Sequence, residues 1–183
     1  MTSDLLENEI ELVTELARRL LMDMARRAPD APLRILDLGC GTGKLSRYLH
    51  EMIGCEVIGI DPVESSVAKA RQKTATLTFL VQSAEALLFP DTSFDGIVSL
   101  KAVHEIPHPQ QALNEAHRVL RHGGLIFIID WVGGEPQTSS HGHAKLYFTP
   151  KRLQKALTVA GFAAVTLTLN TAGTLMLAEA RKR

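Results

Sequence analysis

From about residue 33 to residue 131, two patterns of apolar residues take turns along the chain. Apolar runs without polar alternation predict strands that are buried on both faces. The segments between them have the amphipathic spacing of helices. The predicted strands are 33–38, 55–60, 77–81, 94–100 and 124–131, and the predicted helices are 43–52, 62–73, 83–88 and 109–121. This order is typical of a parallel sheet covered by helices.

The N-terminal segment predicts one long helix over residues 4–28. Asp4 and Glu7 have the spacing of a capping box, and apolar residues three and four apart form one stripe: Leu6, Ile10, Val13, Ala17, Leu20 and Met24. We therefore divide the chain into an N-terminal helix with its linker, residues 1–32, and a main domain, residues 33–183. The stripe has two interpretations, packing on its own domain or pairing with a second copy in a homodimer.

The C-terminal segment predicts a closing hairpin. A helix at 150–160 begins after Thr149 as its N-cap, and two strands, 163–169 and 174–180, follow with a short turn between them. A hairpin places one antiparallel strand in the sheet. The sequence thus predicts a doubly wound, Rossmann-like α/β fold whose seven-stranded sheet is mostly parallel, with helices on both faces.

Composition narrows the class of protein. The 183 residues fit one domain, and 20 basic residues balance 20 acidic ones, so nucleic-acid binding is not expected. The first residues are acidic rather than positively charged, and no apolar run is long enough to span a membrane. Two cysteines without metal-ligand spacing suit a reducing compartment. We therefore expect a cytoplasmic protein.

The most informative segment follows the first predicted strand, where Asp37 is followed by Gly39, Gly41 and Gly43. Alternating glycines allow a sharp turn from the strand into a helix, whose first N–H groups point towards the loop. Such a turn can hold a small polar cofactor. Asp61 lies 22 positions after Gly39 at the end of the second strand, where a carboxylate can accept hydrogen bonds from both ribose hydroxyls.

The glycine spacing decides between cofactors. A dinucleotide site requires Gly-x-Gly-x-x-Gly, but position 44 is lysine. The sequence from Asp37 to Gly43 instead resembles the first motif of the class I S-adenosylmethionine-dependent methyltransferases. Further segments resemble later motifs of that family in the same order: 58–61, 83–85, 93–99 and 115–124. The small subgroup called type 11 is the most similar.

The resemblance implies methyl transfer from S-adenosylmethionine, with S-adenosylhomocysteine as product. Asp37 would either hold the N–H groups of the loop or face the sulfonium. The implied cofactor-binding residues are Asp37, Gly39, Cys40, Gly41, Gly43, Asp61, Pro62, Ala84, Glu85, Leu100 and Lys101. Because no inserted substrate domain is visible, a small-molecule acceptor is expected. A macromolecular acceptor and a non-catalytic cofactor-binding partner or sensor remain alternatives.

The acceptor should lie at the carboxyl ends of the fourth and fifth strands. His104 is the candidate general base, since an ordinary imidazole titrates near neutral pH; the alternative is that it packs on the cofactor or bonds locally. The other candidate pocket residues are Glu105, Asp130, Trp131, His141 and Tyr147.

Two competing motifs are weaker. His141 and His143 could join His104 around a metal, but no carboxylate or cysteine completes the set, so no metal is expected. Tyr147 and Lys151 have the spacing of the catalytic pair of short-chain dehydrogenases. That pair needs one helix face, and the proline between them begins a helix that excludes Tyr147.

Overall fold

The computed structural model describes residues 5–27, 32–133 and 147–183. The strands are β1 (Arg34–Leu38), β2 (Glu56–Asp61), β3 (Thr78–Val81), β4 (Phe94–Leu100), β5 (Leu120–Trp131), β6 (Phe162–Leu169) and β7 (Leu175–Lys182). The helices are α1 (Glu7–Arg27), α2 (Lys44–Ile53), α3 (Glu64–Lys73), α4 (Pro109–Val119) and α5 (Pro150–Val159), with a short 3-10 helix at Val103–Glu105.

The seven strands form one sheet in the order β3-β2-β1-β4-β5-β7-β6. Neighbouring strands from β3 to β5 are parallel, whereas β7 is antiparallel to both β5 and β6. The predicted sheet with one antiparallel strand is confirmed. The order reverses beside β1, so the carboxyl ends of β1 and β4 border the crevice in which ligands bind in folds of this kind.

Both faces of the sheet are covered, as its apolar strands require. In β5, Phe127 and Ile129 pack in the core on the side of α1 and α2. Ile126 and Ile128 pack on the opposite side with residues of α4 and α5. Residues 124–130 of β5 are thus buried whichever way they point, and the sheet fixes the loops at its carboxyl edge.

Helix α1 packs on its own domain, but not through the whole predicted stripe. Its buried face begins at Glu9 and continues through Leu12, Val13, Leu16, Ala17 and Leu20. Leu6 and Ile10 are 54% and 40% exposed, so packing on the domain leaves the start of the stripe uncovered. Asp4 lies outside the described residues, and Glu9 Oε2 accepts the hydrogen bond of Leu6 N at 2.9 Å. The homodimer through α1 stays a prediction that light scattering can test.

The predicted helix at 83–88 is wrong, because the segment forms turns instead. Side chains of α4 supply the bonds that a helix would have made within itself. Glu115 Oε2 accepts from Leu87 N at 2.9 Å, and Arg118 donates to the Leu87 carbonyl at 2.8 Å. Contacts with α4 therefore hold this segment in a conformation that is not helical.

Strand β5 begins four residues before its predicted start. Phe94 pairs with Leu120 but Gly96 pairs with Leu125, so extra residues of β5 bulge out between the two pairs. The bulge accommodates Gly123, which lies just before the predicted strand. Among the described helices, none is both long and apolar enough to cross a membrane.

Candidate active site

The glycine loop lies between β1 and α2, as predicted. Gly39 and Gly41 adopt φ of 69° and 53°, which side chains rarely tolerate. A Cβ on Gly39 would lie 2.3 Å from the Cβ of Ala102, whereas a Cβ on Gly41 would meet no protein atom within 4 Å. Gly39 therefore allows β1 and the chain after β4 to approach, and Gly41 leaves open space above the loop.

Asp61 holds the loop from the end of β2. Its Oδ2 accepts from Gly41 N at 2.9 Å, and its Oδ1 accepts from Val63 N at 2.9 Å. The side chain is 8% exposed and lines the space above the loop. An ionised carboxylate can accept about four hydrogen bonds, so two lone pairs remain. The predicted contact with ribose hydroxyls is compatible with this geometry.

Asp37 lies beneath the loop and lines neither cavity of the site. Its Oδ2 accepts from the Ser46 hydroxyl at 2.6 Å, which ties β1 to α2. Its Oδ1 has no hydrogen-bond partner within the described part of the chain. Burial raises the pKa of Asp37 to about 7, and the hydrogen bond from Ser46 only partly opposes this shift. Asp37 thus acts on α2, and direct contact with a ligand is not part of our proposal.

Two adjoining cavities form one cleft at the carboxyl ends of β1, β2 and β4. The first, of about 590 Å³, lies over the glycine loop and has charged walls. The second, of about 320 Å³, is bordered by Pro62, Ala84, Ile106 and Pro107. Both share Gly39, Asp61, Val63, Ala102 and Glu105. The volumes suit a small ligand, and a polar half beside an apolar half fits an amino acid joined to a nucleoside.

The structure brings together most of the predicted cofactor-binding residues. The first cavity is lined by Gly39, Cys40, Gly41, Asp61, Leu100 and Lys101, and the second by Pro62, Ala84 and Glu85. Gly43 lines neither; a Cβ there would lie 2.7 Å from the Phe79 ring. Glu85 accepts from His108 N and Nδ1 at 2.7 and 2.8 Å, and the bond from His108 holds the pKa of Glu85 below its usual value.

His104 and Asp130 form a buried pair beside the cleft. His104 Nδ1 lies 2.6 Å from Asp130 Oδ1, and Asp130 Oδ2 accepts from His104 N at 3.0 Å. Because an ionised carboxylate can only accept, Nδ1 donates this hydrogen bond, and Nε2 is the ring nitrogen left for a second partner. Nε2 lies 3.7 Å from a carboxylate oxygen of Glu105, which lines both cavities. The imidazole can therefore act as a base at the edge of the cleft.

Two aromatic residues, Tyr147 and Trp131, lie next to this pair. Tyr147 is buried and meets the His104 ring edge to face, with centroids 4.8 Å apart. Lys101 Nζ lies 5.1 Å from the centre of the Trp131 ring. The predicted pocket residue His141 lies outside the described residues. Within the described ranges, no cluster of histidine, cysteine and acidic side chains could hold a metal ion.

Two charged residues at the site, Glu9 and Lys44, were not among the predicted site residues. Glu9 is fully buried and accepts hydrogen bonds from Lys44 Nζ at 2.7 and 2.8 Å. It also pairs with Lys101 Nζ, and both lysines line the first cavity. The spacing of Glu9 from Val13 and Leu16 was the available signal. It places an acidic residue on the apolar face of the helix, where a charge needs a partner.

Comparison with known proteins supplies the family. Residues 36–128, just over half of the 183, match the family model described as Methyltransferase domain. A 2-methyl-6-phytyl-1,4-hydroquinone methyltransferase from Synechocystis is 38% identical over 100 residues, 53% of this chain and 31% of the relative. A demethylmenaquinone methyltransferase from Thermus thermophilus is 37% identical over 119 residues, 62% of this chain and 53% of the relative. The chain spans about a third to a half of the length of these two curated relatives.

A solved structure shares the fold. Phosphoethanolamine N-methyltransferase 2 from Haemonchus contortus, in complex with S-adenosyl-L-methionine, covers 90% of this chain with a TM-score of 0.74. Its sequence is 17% identical and 52% of its chain is covered, so the likeness concerns the fold alone. The matched residues 36–128 contain the glycine loop, Asp61 and His104. The chain belongs to the Methyltransferase domain family of class I S-adenosylmethionine-dependent methyltransferases.

Proposed function

We propose that this protein transfers a methyl group from S-adenosylmethionine to a small-molecule acceptor that loses a proton during the reaction. The observation that carries the proposal is the His104–Asp130 pair at the edge of a cleft whose floor is the glycine loop. A cofactor cleft alone would suit a binding protein. A base oriented by a buried carboxylate at its edge favours catalysis.

The two cavities of the cleft would hold different parts of the cofactor. The charged first cavity, with the loop and Asp61, suits the amino-acid and ribose parts. The second cavity, with Pro62, Ala84 and Ile106, suits a flat apolar base. When bound, S-adenosylmethionine supplies an electrophilic methyl group on a positively charged sulfur. The protein's main task is then to align the acceptor with that methyl group.

In the proposed reaction His104 accepts the proton that the methyl acceptor loses. Asp130 holds Nδ1–H, so Nε2, which lies 3.7 Å from a carboxylate oxygen of Glu105 at the cleft, would accept the proton. As the attacking atom of the acceptor formed its bond to the methyl carbon, the bond between that carbon and sulfur would break, and its electron pair would stay on the sulfur of S-adenosylhomocysteine. The acceptor's proton passes to Nε2. Asp130 stabilises the resulting imidazolium and acts as a positioning residue.

The relatives suggest the chemical class of the acceptor. Their names specify a hydroquinone and a demethylated menaquinone. A hydroquinone, or a quinone after reduction to the quinol, has an acidic ring hydroxyl whose proton a histidine can remove. The flat Trp131 ring is half-buried beside Lys101 and could stack on such an acceptor. We therefore propose quinol-type rings as the first acceptors to test.

Turnover can be measured with S-adenosylmethionine and a panel of quinols, phenols and other metabolites. Mass spectrometry then quantifies S-adenosylhomocysteine and the methylated acceptor in equal amounts. The proposal predicts stoichiometric formation of both with at least one quinol. Tight cofactor binding without turnover across the panel would instead favour the non-catalytic partner or sensor.

A further inference from the structure

Glu9 joins the N-terminal helix to the wall of the first cavity. Its carboxylate is fully buried, accepts from Lys44 Nζ at 2.7 and 2.8 Å and pairs with Lys101 Nζ. Its Oε2 also accepts from Leu6 N. One acidic side chain of α1 is thus shared by two basic side chains from separate elements.

Both lysines are built into the cavity rather than placed on a free surface. Lys44 begins α2 directly after the glycine loop, and Lys101 follows β4. Lys101 adopts φ of 53°, and its N–H donates to the Ile129 carbonyl at 2.7 Å. A non-glycine residue at positive φ is uncommon and needs support from its surroundings. The backbone therefore fixes the direction in which the Lys101 side chain leaves the chain, and the pairing with Glu9 holds its ammonium group.

Glu9 offsets part of the positive charge that Lys44 and Lys101 place on this wall. Burial alone would raise the pKa of Glu9, but the hydrogen bonds from Lys101 and Lys44 outweigh it and hold the pKa below its usual value. Glu9 is therefore charged at neutral pH. The group formed by Glu9, Lys44 and Lys101 carries one net positive charge, and without the Glu9 carboxylate it would carry two. The other charged residues that line the cavity, Asp61, Lys73 and Glu105, are the same in both cases.

The two forms of the cofactor respond differently to such a charge. The sulfonium of S-adenosylmethionine is positive, and the thioether of S-adenosylhomocysteine is neutral. We propose that Glu9 sets the relative affinity of the cavity for these two ligands, because its carboxylate offsets the lysine charges that repel the sulfonium. This inference rests on the proposed function. The alternative is that Glu9 only anchors α1.

The size of the effect follows from Coulomb's law. A cavity of about 590 Å³ is roughly 10 Å across. At an effective dielectric constant of about 20 to 40, one unit charge at that distance changes the affinity for a cation roughly four- to fifteen-fold. The neutral thioether should feel little of it.

The test compares two ligands in the same variants by titration calorimetry. In Glu9→Gln, the ratio of the S-adenosylmethionine Kd to the S-adenosylhomocysteine Kd should rise roughly four- to fifteen-fold over wild type. Glu7→Gln is the matched control, because Glu7 is exposed on the same helix, and its ratio should not change. Loss of packing would weaken both ligands equally, so it cancels in the ratio.

A second variant covers the case in which Glu9→Gln does not fold, as judged by circular dichroism. Lys101→Gln removes one positive charge and should shift the ratio in the opposite direction, towards S-adenosylmethionine. Unchanged ratios in the folded variants would overturn the inference and leave the proposed function standing. Failure of wild type to bind either ligand would overturn the proposed function, and the inference with it.

Discussion

The Nδ1 atom of His104 lies 2.6 Å from Oδ1 of Asp130, which joins the 3-10 helix after β4 to the end of β5. The same Asp130 oxygen accepts from Trp131 N at 2.8 Å. Both side chains are buried, at 7% and 1% exposure. The carboxylate is therefore fixed by the backbone before it orients the ring, and the proposed base has one defined tautomer.

Replacing the ring tests the proposed base. His104→Gln should lower kcat about a hundredfold or more, because a positioned general base contributes about 10²–10⁴-fold. The S-adenosylmethionine Kd should stay within about threefold, since His104 lines neither cavity. Single-turnover kinetics with an active quinol, beside calorimetry, measure the two quantities. A variant that kept a third of the wild-type rate would remove His104 from the mechanism.

Asp61→Asn tests the proposed ribose contact. Loss of charge-assisted hydrogen bonds should weaken S-adenosylmethionine binding by roughly 1.5–3 kcal/mol, which is about 10- to 150-fold in Kd. Because Asp61 also accepts from Gly41 N, urea unfolding should accompany the calorimetry to separate stability from binding. An unchanged Kd in the folded variant would contradict the assignment.

The close approach at Gly39 predicts a steric effect on stability. Gly39→Ala should cost about 2–4 kcal/mol of unfolding free energy, from an unfavourable φ and a clash with Ala102. Gly54→Ala is the matched control, because Gly54 has φ of 73° but open space around its Cβ position. It should cost only about 1 kcal/mol. Equal losses in urea titrations would show that the approach to Ala102 is not tight.

Asp37 predicts a pH dependence of stability. Burial raises the folded-state pKa from 3.8 to about 7, so the folded chain holds a proton that the unfolded chain releases near pH 4. The resulting stability is complete below about pH 4 and is lost as the pH rises to about 7. Between pH 5 and 7, wild type should lose about 2 kcal/mol relative to Asp37→Asn. Parallel urea midpoints for the two proteins over that range would contradict this prediction.

The sequence predicted the parts of the fold that local patterns control. Buried strands such as 94–100 and the N-cap Thr149 follow from apolar runs and from capping chemistry. Thr149 Oγ1 indeed accepts from Arg152 N at 3.3 Å. The helix at 83–88 failed because Glu115 and Arg118, distant in sequence, supply its hydrogen bonds.

The charges of the site were harder to predict. Gly39 and Asp61 follow neighbouring predicted strands at a fixed spacing. Because parallel strands have their carboxyl ends at the same edge of a sheet, the sequence predicts that the two residues lie close together. The partners of Glu9 lie 35 and 92 positions away, at Lys44 and Lys101. Helical periodicity marks Glu9 only as an acidic residue on an apolar face. Its role depends on how α1 is oriented over the sheet.

Calorimetric titration of the wild-type chain with S-adenosylmethionine, with NAD as the comparison ligand, measures whether the cleft binds this cofactor. We expect saturable binding of one S-adenosylmethionine per chain and no measurable heat with NAD. Absence of binding by S-adenosylmethionine, or tighter binding of NAD, would contradict this expectation.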